Sequence, residues 1–376
     1  MSSQSSFPVP NSAAASGQFH NAYRVLEEAI AARAFPGCAF GVLAGDDVVM
    51  RDALGRFTYE PDAPAVTAET IFDVASLTKI VATSAVAMLL HQRGQFDFEI
   101  PLGDLLPGFV VGRAPGDMAR HVTLRHLLAH NSGLPGYVEF FRRATTPSSL
   151  FRACLQLPLE AEPGHRAEYS DPGFILLGKA LEVHMREHLV PWLRREVYAP
   201  LGMTATGFCP MLAIRDSIPP TEDDMAFRQR RIQGEVQDEN AWVLHGVSGH
   251  AGLFSNVPDL LRYAAAILQS GMKNEQVKQQ ALLFEQATIE TFAVRQGPQG
   301  STRAIGWDTP SENSSSGKHF SRHSIGHLGF SGCSFWIDLD AKISIVLLTN
   351  RTWPDRKSQL IKQVRPAFHD AVREAL

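Results

Sequence analysis

Hydrophobic positions change their period along this chain, and the changes mark its elements. Over residues 19–33, Ala22, Val25, Leu26, Ile30 and Ala31 recur at helical spacing, and Pro36-Gly37 ends that helix. Two apolar runs, 38–43 and 48–53, flank Ala44-Gly45-Asp46-Asp47 and predict a β-hairpin. A second pair, 332–339 and 343–350, flanks Asp340-Ala341. Residues 355–376 are helical in pattern apart from Pro366, and 309–324 read as a polar, Ser-rich exposed loop. The middle, 76–249, is mostly helical in pattern, with long loops rich in Pro and Gly. Strands at both ends with helices between predict an α+β fold. One antiparallel sheet would be built from both termini and flanked by helices, with a mainly helical lobe inserted. The expected sheet lobe is 19–75 plus 250–376, the helical lobe 76–249, and residues 1–18 a flexible leader.

Composition sets limits but names no chemistry. At roughly 100–200 residues per domain, 376 residues allow two domains or one two-lobed unit. Lys plus Arg total 35 against 39 Asp plus Glu, a formal net charge of -4. That balance argues against a nucleic-acid binder working through a basic field and against a polybasic membrane protein. The leader has no Lys or Arg before an apolar core, and the longest apolar stretch, 80–90, is too short to span a bilayer. A soluble, cytoplasmic protein is therefore expected. Cys38, Cys154, Cys209 and Cys333 are scattered and read as reduced thiols in or near the core. No metal is expected: His184 and His188 share a helix face, but Met185 stands where a zinc protease needs Glu. No phosphate loop or dinucleotide fingerprint suggests a cofactor.

Three elements carry candidate chemistry. Ser76-Leu77-Thr78-Lys79 opens an apolar stretch that reads as a buried central helix. Ser76 and Lys79 would share one helical face, and an amine at that costly position makes sense if it activates Ser76 as a nucleophile. The alternative is an N-cap serine beside a solvated lysine. Two further Ser-x-x-Lys matches, at Ser270 and Ser315, lie in polar or Gly-rich stretches and read as chance. Tyr169-Ser170-Asp171-Pro172-Gly173 precedes a second apolar helix. Its tyrosine is a candidate proton shuttle, or else a buried aromatic next to an N-cap Asp. Gly326-His327-Leu328-Gly329-Phe330-Ser331-Gly332 precedes a strand, and its N–H groups could complete an oxyanion hole or simply form a turn.

The order Ser76-x-x-Lys79, Tyr169-Ser170-Asp171, His327-Leu328-Gly329 resembles the serine β-lactamase and penicillin-binding-protein superfamily, in its class C-like branch. Residues 122–134 and the turn Gly249-His250-Ala251-Gly252 resemble that branch too. The resemblance covers about residues 20–375. It implies Ser76 as the acylated nucleophile and Lys79 with Tyr169 as the proton-transfer pair. It implies the backbone N–H groups of Ser76 and Phe330 as the oxyanion hole, with Asp171, His327 and Gly329 lining the substrate cleft. Two departures stand out. The family's Tyr-x-Asn is Tyr-x-Asp, which trades a donor for a pure acceptor, and its Lys-Thr-Gly is His-Leu-Gly, which loses a fixed cation and a hydroxyl.

Both departures resemble the esterase and amidase members rather than an efficient β-lactamase. Residues 235–242 are similar to the intracellular members that cleave N-acetylmuramyl-L-alanine amide bonds, or else form an acidic surface loop. The expected function is thus a serine hydrolase cleaving an ester or amide through a Ser76 acyl-enzyme, with a cell-wall muropeptide amide among the candidates. A carboxylesterase or weak β-lactamase is the alternative within the family. A catalytically silent penicillin- or peptide-binding module is the alternative outside enzymes. The partner is a small-molecule or muropeptide substrate, and the oligomeric state is open.

Overall fold

The computed structural model describes residues 17–270 and 283–376, so most of the expected leader and the Lys273 end of one chance match lie outside it. The chain enters through helix α1, His20–Ala31, and the hairpin of β1, Gly37–Ala44, and β2, Asp47–Gly55. Strand β3, Phe72–Asp73, leads through a 3-10 turn at Ala75–Leu77 and a π turn at Lys79–Thr83 into helix α2, Ser84–Gln92. Helix α3 spans Asp171–Met185. Short strands follow: β4, Gly207–Phe208, then β5, Glu222–Asp224, then β6, Arg230–Ile232. Helix α4, Glu239–Val243, strand β7, Leu253–Ser255, and helix α5, Val257–Gln269, complete the middle. The chain closes with β8, Ser324–Leu328, β9, Ser334–Asp338, β10, Ile343–Thr349, and helix α6, Ile361–Ala375.

Both chain ends meet in one antiparallel sheet of order β2-β1-β10-β9-β8. Cys38 pairs with Thr349 and Ala44 with Ile343, which joins residues about three hundred apart in sequence. Alternation along the strands sends side chains to two different cores. Cys38, Phe40 and Val42 of β1 and Ile343, Ile345 and Leu347 of β10 pack with α1 and α6. Ala39, Leu43, Val346 and Leu348 face the other way. There α5 lies so close that a Cβ on Gly41 would sit 2.5 Å from the Val257 side chain. Strands β8, β9 and β10 are almost wholly buried because helices cover both faces.

The second core runs without a break from these sheet residues to Leu127, Phe174 and Leu176 in the helical part. Three local expectations are corrected. The regular central helix begins at Ser84 rather than Ser76, because the backbone around Ser76 is a tighter and then a wider turn. The middle also carries strand pairs: β5 with β6, and β4 joined to β3 through β7. Helix α6 runs through Pro366, since Phe368 and Val372 are held against the sheet on its far side. Among the described residues no helix is long and apolar enough to cross a membrane. Cys38, Cys154 and Cys333 are buried, while Cys209 is exposed and so is not the core thiol expected.

One close approach sets the floor of the later site. Gly178 of α3 and Gly249 touch backbone to backbone. A Cβ at 249 would lie 2.2 Å from the Phe174 carbonyl oxygen, and one at 178 would lie 2.8 Å from the Gly249 Cα. Gly178→Ala should destabilise the protein by about 1–3 kcal/mol through overpacking. Gly116→Ala, where a Cβ meets nothing within 4 Å, should be near neutral. Thermal melting of both variants checks this, and equal melting temperatures would remove the packing argument.

Candidate active site

Ser76 is the one residue from Phe72 to Leu90 that is not buried. The backbone before it explains why. Ala75 holds φ at +48°, a left-handed conformation unusual for a residue with a Cβ. Its N–H donates to Asp73 Oδ1 at 2.8 Å, while Asp73 Oδ2 accepts from the Gln237 N–H at 2.8 Å. The Ala75 carbonyl accepts from Thr78 Oγ1, which itself accepts from the Leu253 N–H at 3.1 Å. This bonding turns the Ser76 side chain out of the core. Burial pushes the Asp73 carboxyl up to about 6, against the pull of its two N–H donors.

Lys79 is fully buried and uses all three of its protons. Nζ donates to Asp171 Oδ1 at 2.7 Å, to the His250 carbonyl at 3.0 Å and to Ser76 Oγ at 3.2 Å. It also sits 4.7 Å from the centre of the Tyr169 ring. Burial pushes its ammonium below the usual lysine range, opposed by the Asp171 carboxylate. The Tyr169 hydroxyl donates to Ser76 Oγ at 2.7 Å. Burial and then the Asp171 charge hold that phenol well above its ordinary value, so it stays protonated. Ser76 Oγ is therefore bonded at once by an ammonium and a phenol.

Asp171 is the first residue of α3, but Ser170 is the cap, accepting from the Gly173 N–H at 3.1 Å. This corrects the N-cap alternative for Asp171, whose carboxylate is committed to Lys79. His130 holds the turn from the other side. Its Nδ1 accepts from the Ser170 N–H at 2.9 Å, and its ring lies 4.8 Å from both Tyr169 and Phe174. Burial lowers its pKa well below the usual imidazole value, which leaves the neutral acceptor that this bond requires.

The third element lies opposite. His327 Nδ1 bonds the Leu328 carbonyl at 2.7 Å, its ring centre lies 5.7 Å from that of Tyr169, and its Nε2 is buried without a partner among the described residues. Burial and the nearby Lys79 charge keep His327 neutral, so no cation stands where the family's Lys-Thr-Gly has one. Gly329 packs against the segment that carries Ser76: a Cβ there would lie 2.6 Å from the Val74 carbonyl oxygen. Phe330 is exposed, and among the described residues its N–H donates to no protein acceptor.

Ser76, Tyr169, Asp171, His327 and Phe330 line a cleft of about 820 Å³, with Tyr137, Asp238 and Arg303 also on its walls. The 235–242 segment is not a surface loop, since Val236, Gln237, Glu239, Asn240 and Ala241 are buried. Asp238 bonds His250 Nε2 at 3.0 Å. Burial opposes its charge, but His250, the Ala241 N–H and Lys79 outweigh that and pull the carboxyl down to about 2. The sequence pattern does not single out Asp73, Asp238, His250 or Arg303. Only the two segments that carry Asp238 and His250 stood out, and Arg303, 5.3 Å from the centre of the Tyr169 ring, had no signal. Ser315 and its neighbours lie in the 309–324 loop, away from the cleft lining, and the Ser315 carbonyl bonds His369. Among the described residues no three His, Cys, Asp or Glu side chains gather to hold a metal ion. His184 bonds the Gln95 carbonyl and His188 bonds Glu182.

Comparison with known proteins gives the family and the fold. An N-acetylmuramyl-L-alanine amidase of Bacillus subtilis (strain 168) is 31% identical over 87% of this chain and 80% of its own length. A putative D-alanyl-D-alanine carboxypeptidase of Salmonella typhimurium is 29% identical over 76% of this chain and 70% of its own. Among solved structures, EstCE1, a hydrolase with promiscuous acyltransferase activity, superposes with a TM-score of 0.75. It covers 96% of this chain and 99% of its own, at 22% identity. A penicillin-binding-protein homologue from Caulobacter crescentus superposes at 0.74 over 96% and 98%, with 16% identity. At such identities the two structures show a shared fold. The family model described as Beta-lactamase matches residues 23–365, a span that holds Ser76, Lys79, Tyr169 and His327, and the chain belongs to that family.

Proposed function

We propose that this member of a serine-hydrolase family cleaves amide or ester bonds through an acyl-enzyme on Ser76, with a muropeptide amide as the preferred substrate. The observation that carries the reading is the pair of hydrogen bonds from Lys79 and Tyr169 to the one hydroxyl that is not buried on an otherwise buried segment. Once the Lys79 ammonium has lost one proton to solvent, its neutral amine takes the Ser76 proton as Oγ attacks the carbonyl. Lys79 is the better acceptor because burial weakens its ammonium, whereas Tyr169 holds its proton tightly. Tyr169 then protonates the leaving amine or alcohol, and its proton is replaced from Lys79. The N–H groups of Ser76 and Phe330 donate to the tetrahedral oxyanion. Water hydrolyses the Ser76 ester by the same steps in reverse.

The muropeptide preference rests on the amidase relative and on the cleft itself. Tyr137 and Phe330 expose aromatic faces beside polar groups, which suits a ligand part sugar and part peptide. Neutral His327 disfavours a β-lactam, because it withholds from the carboxylate the cation that the family's Lys-Thr-Gly supplies at that position.

Ser76→Ala should lower turnover by at least about 10⁴-fold and abolish the fluorophosphonate adduct seen by intact mass. Ser315→Ala should retain both. Full turnover in Ser76→Ala would refute the mechanism, and a wild-type protein that takes no adduct would be a silent binding module.

In a panel of a muramyl dipeptide amide, a short nitrophenyl ester and a chromogenic cephalosporin, the cephalosporin should be the poorest substrate. Rapid cephalosporin turnover would overturn the reading of His327.

The charge at Asp171 stabilises the Lys79 ammonium, so its removal lowers the lysine's pKa and frees the base at lower pH. The acidic limb of the kcat/KM profile should therefore move to lower pH in Asp171→Asn. A limb that stays in place in an active variant would exclude Lys79 as the base.

A further inference from the structure

The Gly329–Cys333 turn is held from beneath by an arginine that has no charged partner. Arg365 of α6 is only 6% exposed. Its Nη2 donates to the Gly329 carbonyl at 2.6 Å and to the Cys333 carbonyl at 2.8 Å, and its Nε donates to the Gly332 carbonyl at 3.1 Å. Among the described residues it makes no ion pair with a carboxylate. The Cys333 thiol beside it is pushed up to about 11 by burial, so at neutral pH it is uncharged and supplies no counter-charge. Buried Lys79 and Arg228 are paired with Asp171 and Asp224; only Arg351, equally buried and bonded to the same turn, shares with Arg365 the lack of a carboxylate partner among the described residues. Burying a guanidinium against carbonyls alone is costly, and an apolar side chain would fill the same space more cheaply. Burial draws Arg365 down to about 10, so it remains cationic at neutral pH.

The position of the shortest bond explains the choice. The Gly329 carbonyl and the Phe330 N–H are two ends of one peptide unit. A guanidinium 2.6 Å from the oxygen withdraws electron density through the amide and strengthens the N–H at the other end. That N–H has no protein acceptor among the described residues, and Phe330 lines the cleft. The peptide cannot swing away from the cation. Arg351 Nε donates to the Phe330 carbonyl at 2.8 Å, and the Ser331 carbonyl accepts from the Arg351 N–H at 2.9 Å and from Thr349 Oγ1 at 3.0 Å. On the near side, Ser331 Oγ donates to the Asp73 carbonyl at 2.8 Å, which ties the turn to the segment that carries Ser76.

We propose that Arg365 is a positioning residue of the acylation step: its guanidinium, bonded to the Gly329 carbonyl, fixes and polarises the Gly329–Phe330 peptide whose N–H donates to the substrate oxyanion. This rests on the acyl-enzyme reading above. The oxyanion carries full charge only in the transition state, so the effect falls on kcat and leaves KM nearly unchanged.

The test uses the full chain with Arg365→Met, Arg365→Gln and Arg365→Lys, a nitrophenyl ester and a phenylboronic acid whose adduct on Ser76 mimics the tetrahedral oxyanion. Arg365→Met and Arg365→Gln should lose on the order of 10- to 100-fold in kcat and a similar factor in boronate affinity, with KM within about twofold. Arg365→Lys, which keeps the charge, should recover part of both. Should Arg365→Met fail to fold, Arg365→Gln, which keeps a donor to the carbonyl, decides between charge and packing. A folded Arg365→Gln with wild-type kcat and boronate affinity overturns the proposal, as does a loss in all three variants that tracks melting temperature alone. The wild type separates the two levels: no adduct on wild-type Ser76 sinks the acyl-enzyme reading. A normal wild-type adduct with unaffected Arg365 variants sinks only the role of Arg365.

Discussion

A buried ammonium is the constraint around which this molecule is arranged. Lys79 is fully enclosed, and removing the partner of such a charge costs about 3–5 kcal/mol. Its three protons therefore recruit three separate pieces of chain: Asp171 at the start of α3, the carbonyl of His250 before β7, and Ser76 on its own turn. Each recruitment has structural consequences. The His250 segment reaches Lys79 only because Gly178 and Gly249 let it rest on α3 backbone to backbone. The Asp171 carboxylate arrives there because Ser170 caps the helix and His130 grips the Ser170 N–H. The Tyr169 phenol and the Lys79 amine are thereby both brought within hydrogen-bond distance of the Ser76 hydroxyl.

The opposite wall is built by a different economy. The sheet is covered on both faces, so the β8–β9 turn has its polar backbone facing the interior, where every carbonyl needs a donor. Two arginines from the chain's last fifty residues supply most of these donors. Both oxyanion candidates thus rest on strongly bonded peptides: Ser76 on the turn held by Asp73, and Phe330 on the turn held by Arg351 and Arg365. Preorganisation of this kind needs no reorganisation when charge develops, which is where such dipoles act most strongly.

Much of the fold was legible in short stretches. The hairpin turn between 43 and 48 and the Asp340-Ala341 turn interrupt apolar runs, and β1, β2, β9 and β10 form there. The helix at 20–31 follows from its apolar face. The central segment was legible as buried but not as turned. Its 3-10 and π geometry depends on Asp73 and Leu253, and nothing between 76 and 90 encodes those partners. Among site residues, Ser76, Lys79 and Tyr169 stood out because each opens an apolar helix, where a polar group is anomalous. Asp171 was legible as a cleft residue but not as the partner of Lys79, because that bond spans ninety-two positions. Arg303 and Arg365 carry no local anomaly, since an arginine in a polar loop or on an amphipathic helix is ordinary until its neighbours are known.

The sequence by itself determined which residues are chemically unusual: a serine and a lysine at the head of an apolar run, a tyrosine before another, a glycine-flanked histidine before a strand. It also determined the α+β alternation, because apolar period is a property of neighbours in the chain. Tertiary structure alone decided protonation and aim. Lys79 is depressed, Tyr169 kept neutral and His327 uncharged by burial, which no linear pattern measures. The left-handed turn at Ala75 and the arginine-held turn at Gly329 are set by contacts across the cleft, because backbone direction and dielectric depend on what packs around a residue rather than on what precedes it.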